Sequence, residues 1–506
     1  MTEIHSGNNI ASTDPINSSS SHTFQKHVLH SFAWLAGLKY CGQVITWFIT
    51  IFVIRLLEPR DYGVMAQAYV FAGFLSLISE LGFGTVIVQR KELTQPLLRT
   101  AFSFILLSNG IMFVFSFFCA PIVARFYAEP LLTPIIRVLS YAYLIMAFYA
   151  LPQSLLYRNM NFRLKGSFDL TASVASAAST LTLAYLGFGI WSLVWGNLVF
   201  HITLLLCYLY KGKLLYRLRF SLKDARDLIT MGGYISGGRI IWYFYSQADI
   251  IIGGKFLTSQ VVGVYSIALK LGNMPLEKFI PLVNQVAVPT YAKVQDSLQT
   301  VRNCFLKSIR LVSFFMFLLY FGLFSTASDL VIVLLDKKWE HAIVPLQLLA
   351  FIMPWRAIGS LYAPLLVGIG RADIHFLNVV VSFLILPIAF IIGVRVDDIR
   401  GLCFAWISGY SIVFLMMTII SSRQVKVRFL DIIISIYPAF LSSLAMASAL
   451  FWVRSKFLPS IAPLSALLVC SVIGVALYTG IFSVLNKQGI VEIYKTFYKL
   501  LHKSPD

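Results

Sequence analysis

The chain has 506 residues, of which 58% are hydrophobic and only 12% charged. Ordinary globular domains are about one quarter charged, and surface-to-volume scaling leaves a soluble fold too little interior for so much apolar surface, so most of the chain must use lipid as its solvent. The formal net charge of +19 sits mainly in short loops between apolar runs, which fits cytoplasmic loops on an anionic leaflet and excludes a nucleic-acid interface of basic and interleaved aromatic residues.

Residues 1–25 are polar and rich in Ser, Asn and Thr, without the basic and apolar regions of a secretory signal peptide, and predict a disordered cytoplasmic tail. A spanning helix needs about 20 apolar residues. Such runs lie near 31–56, 64–89, 100–124, 132–156, 168–187, 189–210, 228–254, 261–288, 308–335, 343–368, 374–394, 399–421, 432–453 and 462–484. They predict an all-α polytopic membrane protein of about 14 transmembrane helices. Only Leu186-Gly187-Phe188-Gly189 separates the fifth run from the sixth, so the count is most exposed to error there. The basic, polar segment 211–227 is the strong composition break and reads as a cytoplasmic linker. It divides an N-lobe at 26–210 (first six helices) from a C-lobe at 228–421 (helices seven to twelve), followed by two extra helices in 422–484 and a basic cytoplasmic tail at 485–506.

Lys and Arg in the loops set the orientation. With a cytoplasmic N-terminus, clusters such as Arg158, Arg163, Lys165 and Lys211–Arg226 lie inside, and the opposite loops hold about half as many bases. Both termini are therefore expected in the cytoplasm. A weak repeat at an offset of 200 supports two halves: Arg55-Leu-Leu and Gly63-Val64 against Lys255-Phe-Leu and Gly263-Val264, with Ala68 against Ala268. An even number of helices per repeat implies parallel repeats about an axis along the membrane normal, which would set Lys39 opposite Arg239.

No phosphate-binding loop, HExxH or GxSxG occurs, so neither an ATPase nor a hydrolase is expected, and no cofactor. The six cysteines are scattered, with no CxxC, and read as buried free thiols; the histidines suggest no metal cluster. The informative residues are ionisable groups at membrane depth, each costing about 2.5–3.5 kcal/mol at a helix centre on insertion scales. Lys39, Arg239, Lys270 and Arg356 are candidate substrate ligands; Glu80, Glu277 and Asp249 are candidate ion-coupling groups. Internal pairing is the bland alternative, Lys270 with Glu277 or Asp249 with Lys255. Cations outnumber carboxylates, which suggests a hydrated cavity for an anionic ligand. Trp242, Tyr243, Tyr245 and Trp355 lie near these cations, available to stack on sugars or simply to pack. Pro275, Pro281 and Pro289 in the eighth run, and Pro354 and Pro364 in the tenth, are expected to bend their helices.

Several stretches resemble the polysaccharide repeat-unit flippases of the lipopolysaccharide and colanic-acid exporter type, within the multidrug/oligosaccharidyl-lipid/polysaccharide exporter superfamily. They are Arg55-Leu-Leu-Glu-Pro-Arg-Asp-Tyr-Gly63, Glu80-Leu-Gly-Phe-Gly84 leading to Val88-Gln-Arg-Lys91, Ala124-Arg-Phe-Tyr127 with Pro130, Pro152-Gln-Ser-Leu-Leu-Tyr-Arg158, and Asp249-Ile-Ile-Ile-Gly253 with Gly263-Val-Tyr265. The likeness is strong over 31–295 and looser beyond. One departure is Gly254, which stands where a basic residue often follows the glycine; Lys255 comes one later. The resemblance implies two six-helix lobes, a cationic lumen, alternating access, and undecaprenyl-diphosphate-linked oligosaccharide as substrate in a bacterial inner membrane. The expected protein is a transporter and a monomer, working beside a polysaccharide polymerase and chain-length regulator. Its rivals are a drug or cation antiporter of the same superfamily, which would favour buried carboxylates, and a glycan polymerase or ligase, which would need a large outer loop.

Overall fold

The computed structural model describes residues 42–43, 45–80, 87–88, 93–212, 216–221, 239–457, 461–487 and 489–491. Lys39, Cys41, the two expected tails apart from residues 485–487 and 489–491, and most of the basic linker lie outside the described residues, so the juxtaposition of Lys39 and Arg239 does too. Every described element is helical. In chain order they are α1 (Ile45–Leu56), α2 (Pro59–Glu80), α3 (Gln95–Tyr127), α4 (Leu132–Arg158), α5 (Phe162–Tyr185), α6 (Trp191–Lys211) and α7 (Ala248–Phe256). There follow α8 (Ser259–Val294), α9 (Leu298–Leu335), α10 (Ile343–Gly359), α11 (Tyr362–Gly368), α12 (Ala372–Ser422), α13 (Phe429–Phe457) and α14 (Pro463–Leu485). Nine helices among the described residues are long and apolar enough to cross a membrane.

Over their described parts, the predicted runs fall on helix apart from short breaks at 186–190, 247 and 360–361 and the run end at 462. The Leu186–Gly189 segment is a genuine break: Gly187 and Gly189 take φ of 83° and 54°, left-handed values that glycine adopts without a Cβ penalty. α12 joins the eleventh and twelfth runs, reversing direction at Asp397 and Asp398, whose backbones are not helical. The tenth run divides into α10 and α11. The break falls at Ser360 and Leu361, whereas Pro354 lies inside α10 and all three prolines of α8 lie inside that helix.

Helices α8 to α14 share one large core, with Phe317, Phe321, Trp339, Tyr362 and Trp406 almost fully buried. A smaller core joins α2, α3, α4 and α6 around Ala68, Ala124 and Ile136. The last two helices belong to the larger core. Arg302 donates to Asp431 at 2.7 Å near one end of the α9–α13 contact, and Arg454 holds Asp329 by two hydrogen bonds of 2.8 and 3.0 Å near the other.

The halves meet where α2 crosses α8. Gly63 and Gly263 abut there, and a Cβ on either would run into the carbonyl oxygen of Ser259 or Pro59 respectively. Both residue pairs are separated by the repeat offset, so the expected symmetry axis passes close to this contact. Small residues let helix backbones approach in this way where lipid gives no hydrophobic drive between helices.

The same end of the bundle is fastened by two further contacts across the halves. Arg55, at the end of α1, donates to the carbonyls of Val333 and Leu334 at the end of α9, with Nε 2.8 Å from the latter. Lys255, at the end of α7, donates to the Phe126 carbonyl at the end of α3, at 2.8 Å, and lies over the Phe126 ring. Lys255 therefore serves α3, and the expected pairing with Asp249 does not form. Gly254 has a steric reason, since a Cβ there would sit 2.7 Å from the Tyr127 ring.

Candidate functional site

Directly below this closed end, α1, α2, α5, α6, α7 and α8 enclose a cavity of about 520 Å³. That is within the range of small-molecule sites. Its lining starts one turn from the closed end, at Val53 and Tyr62, and continues to Lys270. At about 1.5 Å per residue, Lys270 is roughly 16 Å along α8 from Ser259, about half the thickness of a hydrocarbon core.

Lys270 lines the cavity, and its side chain is exposed there. Among the described residues no hydrogen bond or ion pair engages its ammonium. Glu277, two turns along the same helix, is exposed and forms no salt bridge with it. No Asp or Glu is among the described lining residues.

The rest of the polar lining was not foreseen. Ser173, Ser176 and Thr180 on α5, Asn197 on α6, and Thr46 and Thr50 on α1 contribute hydroxyl and amide groups. Ser176 Oγ donates to the Gly196 carbonyl at 2.7 Å, and Thr180 Oγ1 to the Ser176 carbonyl at 2.8 Å. Tyr69 and Asn197 line the cavity together. Gly196 permits this packing, since a Cβ there would collide with Thr180 Oγ1. A signal was present in the sequence. α5 and α8 are long enough to span, yet both stand outside the set of strongly apolar helices, α5 because of its Ser and Thr.

The other predicted site residues fall elsewhere. Arg239 is exposed, one turn before Tyr243 along the same helical stripe, and does not line the cavity. Tyr243 does, its hydroxyl donating to the Val70 carbonyl at 2.7 Å. Trp355 packs instead among Phe317, Phe414 and Phe440. Arg356 lies in a second cluster, its guanidinium 4.2 Å from the centroid of the Trp406 ring and 3.3 Å from Asn273 Oδ1. Asp249 belongs to this cluster and is fully buried. Its Oδ2 accepts from the Tyr265 hydroxyl at 2.6 Å and from Trp406 Nε1 at 3.2 Å, and its Oδ1 from the Ile250 N–H at 2.8 Å. Glu80 is the last residue of α2. Of the cations and carboxylates singled out, then, the structure sets Lys270 in the cavity, leaves Glu277 exposed two turns along the same helix, and brings Asp249 and Arg356 together around Trp406.

Residues 52–344, more than half of the chain, match the model of a family described as polysaccharide biosynthesis proteins. The chain belongs to that family. Its relatives include the lipopolysaccharide biosynthesis protein WzxC of Escherichia coli K12, 26% identical over 72% of this chain and 74% of its own length. The teichuronic acid biosynthesis protein TuaB of Bacillus subtilis is 22% identical over 69% and 73%, and the succinoglycan transport protein ExoT of Rhizobium meliloti 25% over 69% and 71%. Among solved structures, the lipid II flippase MurJ in an inward closed conformation superposes with a TM-score of 0.73 at 15% identity, over 90% of this chain and 99% of that one. An inward-facing multidrug MATE transporter gives 0.62 at 14% identity, over 76% and 94%. This member of the polysaccharide biosynthesis family is thus a multi-pass membrane protein with the fold seen in the MurJ and MATE structures.

Proposed function

We propose that the protein flips undecaprenyl-diphosphate-linked oligosaccharide repeat units across a bacterial inner membrane, for O-antigen, capsule or exopolysaccharide synthesis, by alternating access of two lobes. The observation that carries this reading is the cavity at mid-depth between the halves, lined by hydroxyls and amides, whose one formal charge among the described lining residues is an ammonium without an ion-pair partner. That ammonium is free to pair with an anionic ligand entering the cavity, and a lysine serves a diphosphate as a point charge. The biosynthetic relatives and the lipid II flippase fold point to the same class of cargo. A cation antiporter would need a carboxylate where the cavity offers Lys270.

With both termini cytoplasmic, the closed Gly63–Gly263 end faces the periplasm, and the cavity is loaded from the inside. Lys270 holds the diphosphate. Arg239, on the Tyr243 stripe, meets it on the way in, and Glu277 couples the cycle to an ion gradient. Asp249 and Arg356 hold the second half together around Trp406.

The test uses cells lacking the protein and a periplasmic ligase as reporter of lipid-linked units reaching the outer face. Complete units should accumulate on the cytoplasmic face and be cleared by the wild type. Lys270→Glu, at normal protein level, should lower clearance at least tenfold, and Lys270→Arg should keep most of it. Normal arrival of units at the periplasm without the protein would refute the flippase reading.

A further inference from the structure

The cavity has two chemically different walls. On the α8 side is the ammonium of Lys270; on the α5–α6 side are hydroxyls and an amide, with no ionisable group among the described lining residues. Two of the three α5 hydroxyl protons are already spent on backbone, Ser176 on the Gly196 carbonyl and Thr180 on that of Ser176, and Ser173 is left able to donate as well as accept. A hydroxyl whose proton is committed keeps its oxygen lone pairs as acceptors. The wall therefore offers mostly acceptors, with the Asn197 amide able to do both. A ligand made of many O–H donors satisfies such a surface; a carboxylate or a prenyl chain does not.

We propose that the α5–α6 wall is the sugar-reading surface of the transporter, and that it selects uncharged sugar units attached to the diphosphate. The inference rests on the flippase reading and deepens it. Ser173, Ser176 and Thr180 accept hydrogen bonds from ring hydroxyls, and the Asn197 amide donates to a hydroxyl or ring oxygen. Lys270, across the same cavity, takes the diphosphate. A uronic acid against this wall would set its charge beside oxygen lone pairs, with the single lining cation already engaged, and an unpaired charge away from water is costly. A site built to hydrogen-bond a hydroxyl also discriminates strongly against ligands lacking it, because its own polar groups are then left without partners.

The experiment measures binding to the full-length protein in lipid nanodiscs with three probes. These are undecaprenyl diphosphate without sugar, the same lipid carrying a neutral trisaccharide, and the same lipid with a hexuronic acid as its first sugar. The wild type should bind the neutral glycolipid at least tenfold tighter than the other two. Asn197→Leu combined with Ser173→Ala should remove that advantage and leave the sugar-free lipid unchanged. The isosteric Thr180→Val should act in the same direction if the double variant is poorly made. Lys270→Gln should weaken all three probes together. If the wild type binds the lipids but the wall variants keep the full sugar advantage, or lose all three probes equally, the inference fails and the flippase reading stands. Tighter binding of the hexuronate probe overturns it as well. A wild type that binds none of the lipids overturns both.

Discussion

Asp249 is a carboxylate in an apolar setting whose acceptor positions are already taken by a tyrosine hydroxyl, an indole N–H and a backbone N–H. Such a group is dear to disturb and has little left to offer a passing ion. Asparagine would keep an acceptor for Tyr265 and Trp406 but set its NH2 against the Ile250 N–H, a loss of about 1–3 kcal/mol. Asp249→Asn should accordingly lower the unfolding midpoint in detergent and leave turnover within about threefold of wild type. Glu277→Gln should do the reverse, keeping stability and lipid binding while abolishing the response of transport to an imposed ion gradient. A collapse of turnover in Asp249→Asn at normal thermal stability would exchange the two roles. This contrast also marks where residue-level reading stops. Lys270 and Arg356 look alike in the sequence, each a cation inside an apolar run. Only the fold shows that a Trp406 ring lies against one guanidinium while the other cation opens onto a cavity.

At the scale of elements, hydropathy was a good guide because a spanning helix must satisfy its own backbone over about 20 residues, whatever its neighbours do. The cavity wall was illegible for a related reason. A serine or threonine that bonds its own helix, as Thr180 does, is tolerated on any face, so α5 in isolation does not say which hydroxyls converge on a lumen. Nor does sequence say where an added hairpin docks. α13 joins the second half through two ion pairs with α9, far apart in the chain. The Asp329 side chain is only 4% exposed and that of Arg454 28%, so the pair between them is shielded from solvent. Removing one partner of a buried pair costs about 3–5 kcal/mol, mostly from the stranded charge. Arg454→Leu alone should therefore destabilise by about 3 kcal/mol, and Asp329→Leu with Arg454→Leu should recover most of that. Denaturant unfolding in a double-mutant cycle measures this; simple additivity of the two losses would show that the pair contributes little.

At the scale of the whole molecule, the offset-200 repeat becomes mechanics. Gly63 abuts Gly263, and Arg55 and Lys255, also 200 residues apart, each grip the C-terminal carbonyls of a helix from the opposite half. A cation at a helix C-terminus meets the negative end of the helix dipole, worth about 0.3–1 kcal/mol, with a charge-assisted hydrogen bond in addition. Both side chains are exposed at the end of the bundle, so the lower part of that range applies and each latch should be worth about 1 kcal/mol. Two latches then hold the closed end by about 2 kcal/mol, some thirtyfold in population. A transporter that must open this end once per cycle needs fastenings of that order, whereas a deeply buried ion pair would hold it shut. Cysteine labelling of Thr50, which lines the cavity, reads the gate directly. With Thr50→Cys and a membrane-impermeant maleimide added from the side of the Gly63–Gly263 end, the periplasm in the proposed orientation, the Arg55→Leu, Lys255→Leu double variant should label at least tenfold faster than its parent. Each single variant should label at a similar intermediate rate, because the two latches are symmetry copies. A jump confined to one of them would mean that the halves share an ancestry in sequence but not the work of gating. No change in any would leave the Gly63–Gly263 backbone contact holding the gate alone.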